Sequence, residues 1–224
     1  MDQIVAPNAI GQQFLRCLDR SDRHTQPFRY WLLADVLPAG AADAIAALPF
    51  APPTTTDFDG RRETNNSTRV YVTPENQQRF AICRALAEAF KHPLVTRAIE
   101  RETGTDLSQG QLRIEYTQDT GGFWLEPHVD ISVKLFTMLV YLSGEPELRD
   151  AGTDIYDASP AHNHVATAPY EKNKGLIFIP GHDTWHGFTR RPIRGVRKSI
   201  IVNYVTNDWR AREQLAFPDR PIRH

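Results

Sequence analysis

Cysteine, long apolar runs and any strong charge imbalance are missing or scarce in this 224-residue sequence. Only two cysteines occur, Cys17 and Cys83, and they form neither a CxxC pair nor a zinc-type spacing with histidine. This argues against a disulfide framework and makes a reducing cytoplasm the expected compartment. The net charge of −1 gives no general reason to expect nucleic acid or an anionic membrane as a partner.

Membrane-spanning and secretory signals are also absent. The longest apolar run, KLFTMLVYL, ends at Ser143 and Gly144, well short of the ~20 residues that a transmembrane helix needs. The first ten residues lack a charged region followed by a long apolar one, so we expect no signal peptide. With 41% hydrophobic and 24% charged residues, the composition is ordinary for a soluble globular protein.

The length suits one domain covering 1–224, and its texture changes near residue 109. We interpret 1–108 as mainly helical support and loops, 109–206 as a β core and 207–224 as a C-terminal tail. Helical periodicity and capping signals predict helices over 8–20, 41–48, 74–90 and 94–102. The polar segment 52–67 is predicted to be a loop, and its part 52–66 is our candidate for a flexible cover.

The second half of the chain predicts short β-strands separated by glycine and proline turns. The predicted strands are 112–116, 133–142, 152–156, 175–179, 184–188 and 196–205. Alternating β-α-β units are absent, which makes a parallel doubly wound sheet an unlikely arrangement. The fold class that we predict is mainly β with supporting helices (α+β), a jelly roll whose N-terminal helices cover one sheet face.

A candidate metal site begins with His128 and Asp130 in the segment Pro-His-Val-Asp. Residues i and i+2 of a strand point to the same face, so an imidazole and a carboxylate would lie side by side. His186 on a distant strand is the candidate third ligand. Two histidines and one carboxylate on one face of an octahedron leave three positions open, as in Fe(II) oxygenases, whereas a structural zinc site uses four protein ligands.

Alternatives remain for these histidines when the residues are taken alone. The His-x-Asp triplet is common by chance, and His128 is equally an ordinary strand histidine hydrogen-bonded to Asp130. His182, four residues before His186, competes as third ligand. His162 and His164 form an HxH pair, but their place in a loop favours solvent-exposed side chains.

Arg197 and Ser199 share one face of the last predicted strand by the same two-residue period. A guanidinium fork beside a hydroxyl suits a carboxylate, which would accept charge-assisted hydrogen bonds from both. The far carboxylate of 2-oxoglutarate is the candidate. The alternative is a surface arginine, since the neighbouring basic residues of this strand and its preceding loop read as a solvated rim.

These residues stand in an order that resembles a known family. From about Leu112 to Tyr204 the sequence resembles the 2-oxoglutarate- and Fe(II)-dependent dioxygenases, specifically the prolyl 4-hydroxylase-like branch. The matching elements in chain order are Tyr116 before a glycine pair, His128-x-Asp130, Thr137-Met-Leu-Val-Tyr-Leu142, Gly152-Thr153, Gly175-Leu-Ile-Phe-Ile-Pro180, Trp185-His186-Gly187 and Gly195-Val-Arg197-x-Ser199. The ordered set is far more specific than any one of its members.

The resemblance implies a double-stranded β-helix, the cupin-like jelly roll, and a set of site residues. His128, Asp130 and His186 would bind Fe(II), and the match of Trp-His-Gly favours His186 over His182. Arg197 would pair with the distal carboxylate of 2-oxoglutarate, assisted by Ser199 and Tyr141, and Tyr116 would line the pocket. These implied residues are His128, Asp130, His186, Arg197, Ser199, Tyr141 and Tyr116.

The implied reaction is hydroxylation of a C–H bond with O2, which converts 2-oxoglutarate to succinate and CO2, with ascorbate as a candidate reductant. The substrate is a small metabolite, an amino acid or a peptidyl prolyl group, and the sequence does not separate these. Phe123 and Trp124 either wall the substrate or belong to the core. Arg61, Arg62 and Arg69 either meet an anionic substrate or lie on the surface.

Two rival functions follow from other features. A cupin-like metal- or ligand-binding protein or sensor would share the jelly roll without consuming 2-oxoglutarate. Nucleic-acid repair through the basic stretch 187–198 is the least favoured, because the net charge is near neutral. We therefore predict a small-molecule or peptide partner, neither nucleic acid nor membrane, and the sequence does not fix an oligomeric state.

Overall fold

The structure, a computed structural model, describes residues 7–55, 57–61 and 69–223. Two antiparallel sheets form its β part, and five helices lie in the first half of the chain. The helices are α1 (Pro7–Asp19), α2 (Ala39–Ala46), α3 (Pro74–Arg79), α4 (Ala81–Lys91) and α5 (Pro93–Thr103). The strands are β1 (Asp22–His24), β2 (Tyr30–Leu33), β3 (Val70–Tyr71), β4 (Gln111–Asp119), β5 (Leu125–His128), β6 (Lys134–Tyr141), β7 (Asp154–Tyr156), β8 (His164–Thr167), β9 (Gly175–Phe178), β10 (His186–Phe188) and β11 (Arg197–Val205).

Helix ends follow the capping signals of the sequence, with one correction. Thr73 accepts a hydrogen bond from the Asn76 backbone N–H at the start of α3, and Gly104 ends α5 in the left-handed conformation, as caps of these types do. The single helix predicted over 74–90 is wrong, because Phe80 is extended (φ −128°, ψ 114°) and separates α3 from α4. Its ring packs edge-on against Phe50 at 5.3 Å between centroids.

The larger sheet has seven strands in the order β1-β2-β9-β6-β11-β4-β3, and the smaller has four in the order β5-β10-β7-β8. This confirms the predicted jelly roll with supporting helices. The first 108 residues are less purely helical than predicted, since β1, β2 and β3 extend both edges of the larger sheet. These strands have only two to four residues, too few to show a clear two-residue period in the sequence.

Side chains on the two faces of the larger sheet have different neighbours. On β11, Ile200, Val202 and Tyr204 pack into a hydrophobic cluster with the helices, including Phe14 and Phe90. The opposite face carries the alternate residues and turns toward the smaller sheet, where a second cluster includes Tyr141, Phe178, Ile155 and Phe188. The molecule is therefore layered as helices, large sheet and small sheet.

Polar residues occupy the inner face of the central strands. On β4 every residue is buried, including the alternate positions Arg113, Glu115, Thr117 and Asp119. Polar groups buried at this density need hydrogen-bond or charge partners. The space between the two sheets is consequently the place where a polar site is expected.

The segment after β11 folds back onto the domain. Leu215, Ala216, Phe217 and Ile222 are buried, and the Ala216 N–H donates to the Leu112 carbonyl at 2.9 Å. Residues 207–223 are thus packed against β4. Among the described helices, none has the length and apolar composition required to cross a bilayer.

Candidate metal centre

His128 and His186 face each other across the pairing of β5 with β10. They are direct register partners in this antiparallel pair, and their ring centroids are 4.4 Å apart. Gly187, next to His186, permits the approach of the two strands. A Cβ atom there would lie 2.9 Å from the carbonyl oxygens of Leu125 and Glu126, so a side chain would push β10 away from β5.

Asp130 completes a group of three candidate metal ligands. One ligand atom from each of His128, Asp130 and His186 lies within 4.8 Å of the others. The sequence analysis placed His128 and Asp130 on one face of a single strand. In the structure, β5 ends at His128 and Asp130 lies just beyond the strand. The structure brings the three residues together through the bend after β5 and the pairing of β5 with β10.

Both histidines present the nitrogen that a metal requires. The Nδ1 atom of His128 lies 2.9 Å from the Glu126 carbonyl oxygen, and that of His186 lies 2.9 Å from the Thr184 carbonyl oxygen. A carbonyl only accepts, so Nδ1–H must donate, and in the neutral ring the lone pair then resides on Nε2. Such backbone contacts fix the tautomer and orientation of metal-binding histidines.

The charge states also suit metal binding. Burial and the neighbouring His128 lower the pKa of His186 to about 3, so its imidazole is neutral at pH 7. Burial alone would raise the pKa of Asp130, but the Lys134 ammonium, His186 and the Thr137 hydroxyl together lower it below its usual value. A neutral imidazole and an ionised carboxylate are the forms that coordinate a cation.

Two residues that the sequence argument did not single out hold the Asp130 carboxylate. Lys134 Nζ donates to Oδ1 at 2.5 Å, and Thr137 Oγ1 donates to Oδ2 at 2.7 Å. Thr137 and Tyr141 are four residues apart on β6 and therefore share one face of the strand. The two-residue period could thus have predicted that Thr137 faces the site. Lys134 gave no such signal, because a lysine at a strand end is normally solvated.

A narrow cavity joins the ligand triad to Arg197 and Ser199. His128, Asp130, His186, Arg197 and Ser199 all line it, and its free volume is about 60 Å³. At ~30 Å³ per water, that volume corresponds to about two waters, so the free space is that of a small group. We call it the narrow cavity.

Strand register explains why the narrow cavity has these walls. Ser199 lies opposite Thr117 on β4 and opposite Tyr141 on β6, and Arg197 lies opposite Asp119. Residues directly opposite each other on paired strands share a face. The predicted pair on β11 is therefore embedded in a polar row across three strands.

Arg197 is buried and rigidly held. Its Nε donates to the Ala151 carbonyl and its Nη1 to the Asp119 carboxylate, both at 2.6 Å. Burial alone would lower the pKa of Arg197, but the neighbouring Asp119 carboxylate raises it above its ordinary value. Its Nη2 has no hydrogen-bond acceptor among the described residues. A surface arginine, the alternative reading of the sequence, is excluded by an exposure of 5%.

The hydroxyl groups of Ser199 and Tyr141 differ in whether they have a hydrogen-bond partner in the described part of the chain. The Ser199 hydroxyl is buried and has no hydrogen-bond partner within the described part of the chain, an arrangement that is costly unless a ligand supplies one. The Tyr141 hydroxyl instead donates to Thr153 Oγ1 at 3.0 Å. Tyr141 thus lies beside Arg197, with its ring 5.8 Å from the guanidinium, and its hydroxyl is already bonded.

Tyr116 is the predicted pocket residue that the structure does not bring to the cavity. It belongs to the hydrophobic cluster on the helix side of the large sheet, and its hydroxyl lies 3.4 Å from the Ala46 carbonyl. The expectation that it lines the pocket is corrected by strand alternation, because Thr117 and Asp119 face the cavity and Tyr116 must face away.

The other histidines considered as candidate ligands lie apart from the triad. His182 is exposed and is not part of the ligand group among the described residues. His162 stacks on Trp185 at 3.7 Å, and His164, which begins β8 rather than lying in a loop, contacts Thr167.

The described part of the predicted cover lies beside the site. Phe58 packs against Phe123 at 5.4 Å, its carbonyl accepts from Trp124 Nε1 at 2.9 Å, and the Gly60 carbonyl accepts from the Glu126 N–H. Phe123 lines the narrow cavity. Residues 56 and 62–66 of the predicted cover, and therefore Arg62, lie outside the described residues. Arg61 is exposed.

Arg69 and Asp119 extend the polar wall of the narrow cavity. Arg69 Nη1 donates to Asp119 Oδ1 at 3.0 Å, while Asp119 Oδ2 accepts from Arg197. All three residues are buried. Asp119 thereby fixes the position of Arg197, a role with no signal in the sequence because the two residues are 78 positions apart.

A second, wider cavity lies on the other side of His128 and Asp130. Its free volume is about 280 Å³, and we call it the wide cavity. It shares His128, Asp130 and Lys134 with the narrow cavity. Its other lining residues are Gly60, Arg113, Glu126, Val129, Ile131, Trp209, Ala211 and Gln214. His128 and Asp130 therefore border two spaces of different size.

Comparison with known proteins gives structural neighbours only. No family model matches the sequence, and no curated protein matches it. A prolyl-4-hydroxylase from Pseudomonas putida is 15% identical, with a TM-score of 0.56, covering 90% of this chain and 96% of that one. A prolyl hydroxylase from Trichoplax adhaerens, in complex with a hypoxia inducible factor oxygen degradation domain peptide fragment, is 14% identical, with a TM-score of 0.56 and coverage of 92% and 93%.

A third neighbour has a different reaction. The non-haem α-ketoglutarate-dependent epimerase SnoN from nogalamycin biosynthesis is 17% identical, with a TM-score of 0.53, covering 90% of this chain and 84% of that one. At these identities the likeness establishes the fold. The chain has the double-stranded β-helix fold of the 2-oxoglutarate–Fe(II) oxygenases, in the form found in prolyl 4-hydroxylases.

Proposed function

We propose that this protein is a 2-oxoglutarate- and Fe(II)-dependent oxygenase that hydroxylates a C–H bond of a small metabolite, amino acid or peptidyl substrate. The observation that carries the proposal is the convergence of His128, Asp130 and His186 at one wall of the narrow cavity, with Arg197 and Ser199 also lining it. The fold is shared with enzymes of this class.

The donor set fits Fe(II). His128 and His186 would each contribute Nε2 and Asp130 one carboxylate oxygen, and two histidines with one carboxylate leave half of an octahedron open. Bound Fe(II) supplies the open positions for a 2-oxo acid and O2, and with them the oxidation of the C–H bond. The tautomers fixed by the Glu126 and Thr184 carbonyls match this role.

The far end of the narrow cavity fits the distal carboxylate of 2-oxoglutarate. Arg197 Nη2 and the Ser199 hydroxyl are donors without an acceptor among the described residues. A carboxylate would accept from both, which removes the cost of the buried unpaired hydroxyl. Asp119 and the Ala151 carbonyl hold the guanidinium in place, so little side-chain order is lost on binding.

Lys134 and Thr137 orient Asp130 before any metal binds. The ammonium and the hydroxyl each donate to one carboxylate oxygen, and each oxygen keeps a second lone pair for a metal. The ammonium also offsets the buried negative charge of Asp130 in the metal-free protein. Lys134 is therefore the residue whose position we expect to change when Fe(II) enters.

An anaerobic titration of the full chain with Fe(II) and 2-oxoglutarate tests the proposal. We expect a visible charge-transfer absorption from a 2-oxo acid chelating Fe(II), and in air a release of succinate and CO2 that candidate substrates stimulate. If the absorption is missing and 2-oxoglutarate is not consumed, the chain is a binding protein of this fold and the proposal fails.

A further inference from the structure

Arg113 is a buried arginine at the wall of the wide cavity, beside the ligand triad. Its exposure is 2%, and its guanidinium lies between the rings of Tyr71 and Trp209, at 4.8 and 4.6 Å from their centroids. It lines the same cavity as His128 and Asp130. An arginine fixed in this way between two rings is preorganised to recognise a planar acceptor such as a carboxylate.

The guanidinium retains donor capacity after all its protein contacts are satisfied. Nε donates to Gln214 Oε1 at 2.9 Å, and Nη1 donates to Glu115 and, at 3.1 Å, to Asn203 Oδ1. Arginine has five N–H donors, and these bonds use three of them. The two N–H groups of Nη2 have no acceptor among the described residues.

The other charges around the wide cavity favour a zwitterion. Lys134 and Glu126 line it together with Arg113, and Glu126 is exposed. Asp130 at present offsets Lys134, and a metal ion that takes over the Asp130 charge would leave the ammonium in excess. Arg113 is paired with Glu115 but keeps the two N–H donors of Nη2. With a metal bound, the cavity would therefore offer Arg113 and Lys134 as donors to a carboxylate and Glu126 to an ammonium. Its volume of about 280 Å³ corresponds to about nine waters at ~30 Å³ each, the scale of one amino acid.

We infer that the substrate is a small zwitterionic, amino-acid-like molecule whose carboxylate binds Arg113 and whose ammonium faces Glu126 in the wide cavity. The inference rests on the proposed function, because it names the substrate class of the same metal centre. Trp209 and Ala211, from the segment after β11, also line this cavity. A peptide chain with blocked ends is the competing occupant.

If Arg113 only positioned Asp130 and did not bind the substrate, its loss would have different effects. Arg113 is linked to the metal site by hydrogen bonds that run from its Nη1 to Asn203, from Asn203 Nδ2 to Thr137 at 2.9 Å, and from Thr137 to Asp130. If Arg113 only positioned Asp130 through this chain, its loss would change Fe(II) binding and the charge-transfer absorption. A substrate anchor would instead change the affinity for an acid without changing these properties.

The first experiment uses the wild-type chain loaded anaerobically with Fe(II) and 2-oxoglutarate. Each of the common L-amino acids is added in turn, and perturbation of the charge-transfer absorption and binding by calorimetry are recorded. The carboxamide and the N-acetyl derivative of the best binder are then compared with it. We expect the carboxamide to bind at least about 30-fold more weakly, as for loss of one partner of a buried charge pair, and the N-acetyl derivative to bind more weakly than the free amino acid.

Two variants identify the residue. In Arg113→Gln the acid and its carboxamide should bind with affinities within about 3-fold of each other, while the Fe(II)–2-oxoglutarate absorption is kept. Arg97→Gln, an exposed arginine on α5, is the matched control and should retain the wild-type preference. Because Arg113→Gln leaves Glu115 buried without its ion pair, the double variant Arg113→Gln/Glu115→Gln provides the same test in a chain without that charge.

The outcomes distinguish a failure of the substrate assignment from a failure of the proposed function. If the absorption forms but no L-amino acid binds, if the carboxamide binds as well as the acid, or if a prolyl peptide with blocked ends binds instead, the inference is overturned and the proposed function stands. If Arg113→Gln alters the absorption and weakens acid and carboxamide equally, Arg113 is a positioning residue. If no absorption forms in the wild type, the proposed function fails and the inference falls with it.

Discussion

The narrow and the wide cavity meet at His128 and Asp130, yet they are built in different ways. The narrow cavity takes Arg197, Ser199 and Thr117 from adjacent strands in register. The wide cavity combines strand residues, Arg113 among them, with residues of distant segments, namely Gly60 and the stretch around Trp209. A wall made of paired strands varies little, so it suits a fixed co-substrate, whereas loops and chain ends are free to change with the substrate.

The largest expected effect comes from removing a ligand that both cavities share. His128→Ala should weaken Fe(II) binding by at least about 100-fold, since even residues behind the ligands contribute 10- to 100-fold, and should abolish 2-oxoglutarate-dependent succinate release. Anaerobic Fe(II) titration measures this. The control His182→Ala changes an exposed histidine and should keep both properties; unchanged Fe(II) affinity in His128→Ala would disprove the metal site.

Arg197→Ala should impair ligand binding in the narrow cavity without affecting the wide cavity. We expect the Kd for 2-oxoglutarate to rise by about 30- to 1,000-fold, corresponding to the loss of one partner of a buried charge pair, with Fe(II) affinity retained. Titration of the charge-transfer absorption gives the Kd. Arg194→Ala, an exposed arginine three residues earlier, should behave as wild type, and equal effects in the two variants would contradict the assignment.

Trp209→Ala should impair substrate binding in the wide cavity without affecting the narrow cavity. Its ring covers the Arg113 guanidinium at 4.6 Å, and loss of that contact and of the cavity wall should weaken substrate binding by about 10-fold, in the range for a partly desolvated cation–π pair. The Kd for 2-oxoglutarate should stay within a factor of about 2. A change in 2-oxoglutarate affinity as large as that in substrate affinity would mean that the two cavities are not independent.

Ser199→Ala sharpens the comparison because it separates binding from stability. The hydroxyl is buried without a described partner, so its removal should leave the free energy of unfolding unchanged or raise it by up to about 1 kcal/mol. The affinity for 2-oxoglutarate should fall by about 5- to 10-fold, as for the loss of one hydrogen bond of about 1 to 1.4 kcal/mol while Arg197 still holds the carboxylate. Urea unfolding and the absorption titration give the two numbers, and a large loss of stability would show that the hydroxyl has a partner in the protein.

Tyr116→Phe should have the smallest effect. The Tyr116 hydroxyl lies on the helix side of the sheet, so 2-oxoglutarate affinity should change by less than about 2-fold. The hydrogen bond to Ala46 contributes at most about 1 kcal/mol to stability. A clear loss of 2-oxoglutarate affinity would contradict the placement of this residue outside the narrow cavity.

Local spacing in the sequence placed much of the fold and the site. Amphipathic period and caps located α1 and α5 within a few residues, and the two-residue period put Arg197 and Ser199 on one face. Predictions from local spacing failed where contacts with residues distant in the sequence determine the secondary structure. The helix break at Phe80 follows from packing on Phe50, and the short strands of the first half form only because the large sheet has edges to extend.

What the sequence by itself determined is the set of candidate metal and carboxylate ligands, because residue type, strand period and the order of the family-like motifs can be read along the chain. Tertiary structure alone decided which sheet face each residue occupies, since the register between β4 and β11 turns Tyr116 away and Thr117 toward the cavity. It also decided that Lys134 pairs with Asp130, that Asp119 holds Arg197, and that Trp209 covers Arg113. The last two contacts join residues distant along the chain, and only close packing of the two sheets and the last segment brings them together.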